Sequence, residues 1–375
     1  MKKELELYLH IPFCVRKCAY CDFLSGPSDE KTIEAYVEAI IKEIYANQEL
    51  GKEYIVTTIF LGGGTPSVLS GNQMMRIFEA LRTCFEISAD AEITTEANPG
   101  TVSEEKLISY KKAGINRISF GLQSANNEDL KLLGRIHTYE EFLESYSLAR
   151  NCGFENINVD LISAIPKQTL ETWKESLKKI IDQSPEHISA YSLIIEEGTP
   201  FYKLYGGNSK GEKELPSEEE EREIYKQTET LLMEAGYHRY EISNYAKPNR
   251  ECKHNLGYWE RKNYLGLGLG ASSLIENERF HNTEDLQEYL ENSSMLEVIQ
   301  RDREVLDETA QLEEYVFLGM RKMEGIVFLE DLKQAYEENI ARMEKQGLVE
   351  IKDGKLKLTR EGIDVSNYVF SEILF

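Results

Sequence analysis

Three cysteines fall within one short stretch, Cys14-Val-Arg-Lys-Cys18-Ala-Tyr-Cys21. Thiolates are soft donors that hold zinc or an iron–sulfur cluster. A structural zinc ion takes four protein ligands, and no fourth lies nearby. A cluster with one iron left open needs only three. Cys84 and Cys152 sit inside helical patterns and read as small packing hydrophobes. Gly62-Gly63-Gly64-Thr65-Pro66 is the next unusual stretch. Its glycines permit positive φ and close approach of backbone to a ligand, although a plain tight turn would use the same residues. Glu96, Gln123 and Asp160 lie late in runs that otherwise read as buried, and a buried carboxylate must be paired or must bind something. Arg135 falls between the last two, so a structural pair between Arg135 and Asp160 is the plain alternative. Tyr8 is by composition a residue of the first strand.

These groups need a scaffold that brings them to one place. Strand candidates run Leu5 to Ile11, Thr58 to Leu61, Glu92 to Glu96, Arg117 to Leu122, Asn158 to Ala164 and Ile188 to Ile195, alternating with helical stretches such as Ile33 to Tyr45 and Trp173 to Ile181. Six strands in such a series predict parallel βαβ units, hence an α/β protein built as an open or partial (β/α)6 barrel. In that architecture ligand sites lie at the C-terminal ends of strands, and the cysteine loop directly follows the first one. The run Asn208 to Arg222 is polar and reads as a solvated loop entering a helix capped near Ser217. After about residue 285 the pattern turns mostly helical and ends in a helix, Leu329 to Gly347, and a hairpin with a turn at Asp353-Gly354. The expected division is a barrel with its extension over 1–284 and a small, mostly helical, winged-helix-like domain over 285–375.

Charge narrows the partners. The chain has 375 residues and a formal net charge of −23, a field that repels nucleic-acid backbones and anionic lipid. Six unevenly spaced cysteines suit a reducing cytosol better than a secreted disulfide scaffold. No run approaches the roughly 18 apolar residues of a membrane span, and the first residues carry no secretory pattern. Gly266-Leu-Gly-Leu-Gly270-Ala271 matches G-x-G-x-x-A, but without a strand of useful length before it or a clear helix behind it a dinucleotide site is not expected. The segment is expected instead to bring backbone near an adenosine or to close the barrel's end.

The spacing C-x3-C-x2-C resembles that of the radical S-adenosylmethionine enzymes. There the open iron chelates the cosubstrate, and reduction of the [4Fe–4S] cluster cleaves its sulfonium to a 5′-deoxyadenosyl radical. Tyr8-Leu-His-Ile-Pro-Phe-Cys, Gly62-Gly-Gly-Thr-Pro, Ser119-Phe-Gly-Leu-Gln-Ser, Asn158-Val-Asp-Leu-Ile and Ile165-Pro-Lys-Gln-Thr extend the resemblance to the oxygen-independent coproporphyrinogen III oxidase superfamily over essentially the whole chain. The resemblance implies that Cys14, Cys18 and Cys21 hold the cluster. It also implies that Tyr8, Gly63, Gly64, Thr65, Glu96, Gln123, Arg135 and Asp160 bind S-adenosylmethionine, with Tyr20 matching an aromatic at a second such site.

Two features depart from the oxidases, whose motif continues to a fourth cysteine where this chain has Phe23, and which share a long extension before the first strand whereas Tyr8 here lies near residue 1. His254-Asn255-Leu-Gly-Tyr258-Trp259 is similar instead to the H-N-x-x-Y-W of the HemW-type haem chaperone branch. An imidazole can ligate iron and aromatic faces can stack on a macrocycle, so His254 and Cys252 are candidate haem ligands, expected at or beside the barrel mouth. Core or capping roles are their plain alternative. The branch implies haem binding, delivery to recipient haemoproteins such as respiratory enzymes at the membrane, and a homodimer in the cluster-loaded state. The competing readings are an enzyme that oxidatively decarboxylates coproporphyrinogen III, and a binding module that never cleaves its cosubstrate.

Overall fold

Fifteen β-strands appear among residues 2–207 and 209–374, which the computed structural model describes. The first six are β1 Lys3–Ile11, β2 Tyr54–Gly63, β3 Glu86–Ala97, β4 Arg117–Gln123, β5 Ile157–Ser163 and β6 His187–Ser192. They pair in that order and every pair is parallel. The partial (β/α)6 barrel expected from the sequence is therefore the fold. Sequence alternation builds its walls: Leu5, Leu7, Leu9 and Ile11 of β1 join the core shared with Tyr36, Val37 and Ile40 of the helix Glu30–Ala46. Glu6, Tyr8 and His10 consequently face the barrel's interior.

The sheet continues past the barrel on both sides. Beyond β6 lie β8 Asn244–Ala246 and β7 His238–Arg239. Beyond β1 lie β9 Tyr264–Leu267, β10 Ser272–Ile275, β11 Glu278–Asn282 and β12 Gln300–Val305, making twelve strands in all. Gly266 therefore stands in a short strand, parallel to β1, where the sequence had predicted none of useful length. The segment after it turns into an antiparallel hairpin and does not border the cavity at the C-terminal ends of the barrel strands. It is fastened from outside, because the buried Glu43 accepts hydrogen bonds from Gly268 N (2.8 Å), Asn282 Nδ2 (2.6 Å) and the Tyr289 hydroxyl (2.5 Å).

The helix Glu218–Glu234 starts at Ser217 with the expected capping box to Glu220. Asn208, the first residue of the polar run before it, lies outside the described residues. A second core begins near Leu312 and runs to Leu374 around a three-stranded sheet of β13 Ile326–Val327, β15 Lys355–Leu358 and β14 Val349–Lys352. Its hairpin turns through Asp353 and Gly354, both at positive φ (52° and 74°), as a two-residue I′ loop demands. Residues 286–305 pack with the large sheet rather than with this second core. A short helix, Lys253–Trp259, lies against β2 and the helix Glu308–Gly319 and links the two cores at the N-terminal end of the barrel.

Candidate cofactor cavity at the barrel mouth

At the C-terminal ends of β1 to β6 lies a cavity of about 350 Å³, bordered by Cys14, Cys18 and Cys21. The loop that carries them is closed at its base: Gly26 N donates to Pro12 O and Cys14 N to Gly26 O, each at 2.9 Å. Two tethers hold its middle, from Ala19 N to Leu133 O (3.2 Å) and from Phe201 N to Ala19 O (3.0 Å). The glycine-rich turn after β2 is sewn to the same loop, with Gly64 N donating to Ile11 O (2.9 Å) and Thr65 N to Phe13 O (2.7 Å). A Cβ on Gly64 would stand 2.6 Å from Ile11 O and 2.7 Å from Phe13 O, so backbone meets backbone with no room for a side chain. Gly63 has φ +98°, and a Cβ there would run into the His10 ring. Structural turn and cavity wall, the two readings of the glycines, are thus both present in one segment.

Two of the sulfurs receive hydrogen bonds. The Thr65 hydroxyl donates to Cys14 Sγ and Arg135 Nη1 to Cys18 Sγ, both at 3.3 Å. Asn98 joins them, its Nδ2 donating to Thr65 Oγ1 (2.8 Å) and its Oδ1 accepting from Arg135 Nη2 (2.5 Å). Arg135 also donates to Gly121 O. It therefore does not pair with Asp160, which instead accepts from Ser119 Oγ (3.1 Å) and Asn158 Nδ2 (2.7 Å). The reason is position: Arg135 lies beyond β4 and points along the rim, whereas Asp160 sits lower in β5 among its own strand neighbours. Glu96 accepts from Gly63 N–H, yet burial, with Asp160 adding to it, raises its carboxyl to about 8. Burial also raises the Asp160 carboxyl and the Cys21 thiol.

Gly63, Gly64, Thr65, Glu96, Gln123, Arg135, Asp160 and Tyr20 all border the cavity. Tyr8 does not. Its ring stacks on Phe60 inside the barrel and its hydroxyl lies 3.0 Å from His10 Nδ1. His10 Nε2 is 2.9 Å from Leu24 O, which can only accept, so Nε2 carries the proton and Tyr8 donates to Nδ1. Tyr8 thereby props a histidine that holds the end of the cysteine loop.

Cys252 and His254 do not lie at the mouth, and this corrects the expectation drawn from their sequence. They are 0% and 1% exposed, at the barrel's opposite end. Both ring nitrogens of His254 are engaged, Nδ1 with Thr58 Oγ1 (2.7 Å) and Nε2 with the Tyr258 hydroxyl (3.1 Å), and the ring stacks on Phe60. Cys252 Sγ donates to Glu92 Oε1 at 3.5 Å. Burial, then the Arg117 charge, lowers the imidazole to about 3, while burial pushes the Cys252 thiol up to about 12. Neutral, enclosed and already bonded, neither group presents a donor to iron.

The donor set at the mouth fits an iron–sulfur cluster and a polar cosubstrate. Among the described residues no trio of His, Cys, Asp or Glu converges tightly enough for a single metal ion. The three thiols are spread around one cavity instead, which a multi-iron cluster can span. Arg135 Nε is buried without a protein partner, and Glu96 and Asp160 face the same space. Asn98 and Tyr191, whose hydroxyl donates to Gln123 Oε1 (3.2 Å), also border the cavity and were missed from sequence. The signal for Asn98 was its place just after β3, two residues past Glu96. Tyr191 alternates with Ser189 along β6.

Such a cavity on a parallel partial barrel, with three cysteines on the loop after the first strand, defines a radical SAM protein. The model of the Radical SAM superfamily matches residues 8–180, and that of the HemN C-terminal domain matches residues 306–365. The fold is similar to that of coproporphyrinogen III oxidase (HemN) from Escherichia coli, with TM-score 0.85 at 24% identity, covering 99% of this chain and 90% of that one. The chain belongs to the HemW family: it is 36% identical to the heme chaperone HemW of Lactococcus lactis subsp. lactis (strain IL1403), over 100% of this chain and 98% of that protein. To the heme chaperone HemW of Bacillus subtilis (strain 168) it is 35% identical over 98% of each chain. The radical S-adenosyl methionine domain-containing protein 1, mitochondrial, of Danio rerio is 30% identical over 99% of this chain and 87% of that protein.

Proposed function

We propose that this protein is a haem carrier that holds a [4Fe–4S] cluster on Cys14, Cys18 and Cys21 and delivers haem to recipient haemoproteins. What supports the haem reading is likeness along the full chain, through both cores, to relatives named heme chaperones. What supports the cluster is the loop geometry, with three thiols on one cavity and donors from Thr65 and Arg135 already directed at two of them. Reduced, such a cluster supplies the electron that cleaves S-adenosylmethionine.

The residues that would hold S-adenosylmethionine are Gly63, Gly64, Thr65, Glu96, Gln123, Arg135 and Asp160, with Tyr20 beside a second molecule. Glu96 and Asp160 offer carboxyls to its positive groups, and Arg135 keeps the cation side of the cavity fixed through Asn98. Tyr8 acts through His10. The division into a barrel with its extension over 1–284 and a small domain over 285–375 belongs to the same proposal. A cytoplasmic location, recipients among respiratory enzymes at the membrane and a homodimer in the cluster-loaded state belong to the same proposal and rest on the sequence resemblance. Among the described residues no helix is long and apolar enough to cross a membrane.

The test is transfer. Anaerobically reconstituted protein loaded with haem is mixed with an apo-haemoprotein that gains activity on receiving it. Recovery faster than with free haem supports the carrier. Conversion of coproporphyrinogen to protoporphyrinogen by the same preparation would establish the oxidase instead.

A further inference from the structure

Asn98 stands between the two donors that reach sulfur at the mouth. Thr65 Oγ1 lies 3.3 Å from Cys14 Sγ, and Arg135 Nη1 lies 3.3 Å from Cys18 Sγ. Asn98 engages both, its Nδ2 at 2.8 Å from Thr65 Oγ1 and its Oδ1 at 2.5 Å from Arg135 Nη2. A guanidinium can only donate, so the amide must turn its oxygen to Arg135 and its NH2 to Thr65. The Thr65 hydroxyl then accepts from Asn98 and its own proton is directed at Cys14 Sγ. Thr65 is buried, so water does not compete for that proton. The backbone of Asn98 is separately pinned: its carbonyl accepts from Thr101 N (3.1 Å) and Thr101 Oγ1 (2.6 Å), and its N–H donates to Ser67 Oγ (3.4 Å). Gly121 leaves the space that the amide fills, since a Cβ there would stand 2.9 Å from Asn98 Oδ1. A plain turn after β3 would need only the backbone bonds; the side chain spends both ends of its amide on the sulfur donors.

We propose that Asn98 is a positioning residue for the cluster, which turns the Thr65 hydroxyl onto Cys14 Sγ, steadies Arg135 on Cys18 Sγ, and through them raises the cluster's reduction potential. This rests on the cluster reading above. An electron added to a cluster increases the negative charge on its sulfurs, and donors to sulfur stabilise the reduced form more than the oxidised one. Asn98 acts through Thr65 and Arg135. Asn98→Asp isolates the effect. It keeps the shape and still accepts from Arg135, but it offers Thr65 an oxygen where the amide offered an N–H. The Thr65 hydroxyl then donates to that oxygen and leaves Cys14 Sγ.

The test is a redox titration of the anaerobically reconstituted, full-length protein without S-adenosylmethionine, followed by the EPR signal of the reduced cluster. Iron content and a thermal melt accompany each variant. Thr65→Val is expected to make the cluster about tenfold harder to reduce, about 59 mV for one electron. Thr65→Ser, which keeps the hydroxyl, should stay within about twofold of wild type. Asn98→Asp should lower the potential at least as far as Thr65→Val, part of the shift coming from its added charge. That charge cancels in the next comparison: added to Asn98→Asp, Thr65→Val should change the equilibrium by less than about twofold, because the hydroxyl has already turned away. An equal shift from Thr65→Val in both backgrounds, or none in wild type, overturns the positioning role. Loss of iron from Asn98→Asp with an unchanged melt also overturns it, since orienting a donor is not needed to hold iron. Should Asn98→Asp not fold, Asn98→Ala, in which nothing holds the hydroxyl on sulfur, takes its place: Thr65→Val should then shift the potential less than in wild type, and an equal shift overturns the role. A wild type that takes up no iron overturns the cluster reading and the positioning role together, whereas iron uptake with equal shifts overturns the positioning role alone.

Discussion

At the mouth of the barrel Cys14, Cys18 and Cys21 border a cavity with Glu96 and Asp160. At the floor Cys252 and His254 are enclosed with Glu6 and Glu92. The residue types nearly match, and the sequence offered candidate ligands at both ends, the cysteine loop as the stronger and Cys252 with His254 as the weaker. The difference is topological. Loops after parallel strands leave the sheet and can spread around a space, whereas the helix Lys253–Trp259 folds under the strands' starting ends, where Tyr258, the helix backbone and Phe60 of β2 fill the corresponding space. Gly257 packs so tightly on the Glu6 carboxylate that a Cβ there would overlap it. Titratable groups alone do not identify a site; what matters is whether a ligand has somewhere to go.

The strongest way to break this comparison is to remove a thiol from each end. Cys14→Ala, Cys18→Ala or Cys21→Ala is expected to abolish the iron and visible absorbance gained on anaerobic reconstitution, with the fold unchanged by circular dichroism. Cys252→Ala is expected to load iron as wild type does. Iron retained by all three loop variants, or lost from Cys252→Ala, would reverse the roles of the two ends.

A second test uses two carboxyls that burial raises to about 8, Glu6 at the floor and Glu96 at the mouth. Glu6 has two oxygens without hydrogen-bond partners, and Glu92 adds to the shift. The native state keeps the Glu6 proton up to about pH 8, while the unfolded chain releases it near 4.5. Between those values the native state binds more protons, so this group's contribution to stability is present at low pH and is lost as pH rises through the window. Chemical denaturation from pH 5 to 8 should therefore show Glu6→Gln gaining on wild type by up to about 1.4 kcal/mol per pH unit. Glu96→Gln should gain in the same direction, but only without S-adenosylmethionine, whose positive groups would lower the Glu96 carboxyl. A ligand effect on the Glu6→Gln profile would mean the floor is open after all.

Gly64→Ala probes how the mouth is built. The new methyl meets the carbonyls of Ile11 and Phe13, which are backbone and cannot rotate away. A loss of about 3 kcal/mol is expected, with weaker iron loading because the cysteine loop is displaced. Unchanged melting and iron content would show that the turn and the loop move independently.

The barrel was legible because its strands are buried on both faces, so each reads as an apolar run in which polar residues such as Glu96 and Asp160 stand out. What the pattern hid follows from exposure. β3 begins at Glu86, six residues before the sequence showed it, because only Glu86 and Ile87 pair with β2 before the register shifts, and this partly solvated end lacks alternation. The strands β7 to β12 are short and add at the sheet's flanks, where two to six residues carry too little periodicity to register. Cys14, Cys18 and Cys21 were legible from spacing alone. Gly63, Gly64 and Glu96 could be gathered because they fall at the C-terminal ends of β2 and β3, and Asp160, midway along β5, because a carboxylate stands out in a buried run. Asn98 was not, since a lone asparagine beside a proline is what any turn would carry, and its value appears only when Thr65 and Arg135 arrive from β2 and beyond β4. His254 misled for the opposite reason: its type and neighbours fit a ligand, and only packing shows both nitrogens spent.

The smallest effect, and the one that separates the two ends most finely, concerns those nitrogens. In neutral imidazole one nitrogen donates and the other accepts, and His254 uses both, on Thr58 and Tyr258. His254→Phe keeps the stack on Phe60 but leaves two buried hydroxyls short of a partner, so a loss of about 2 kcal/mol is expected by denaturant unfolding. His254→Gln still offers one donor and one acceptor, and its loss should be about 1 kcal/mol or less. A haem ligand would behave otherwise: both substitutions would erase its spectral contribution equally, and neither would need to destabilise the protein. The ranking of Phe below Gln in stability, with the haem spectrum indifferent to both, is therefore a signature that only an enclosed structural imidazole can give.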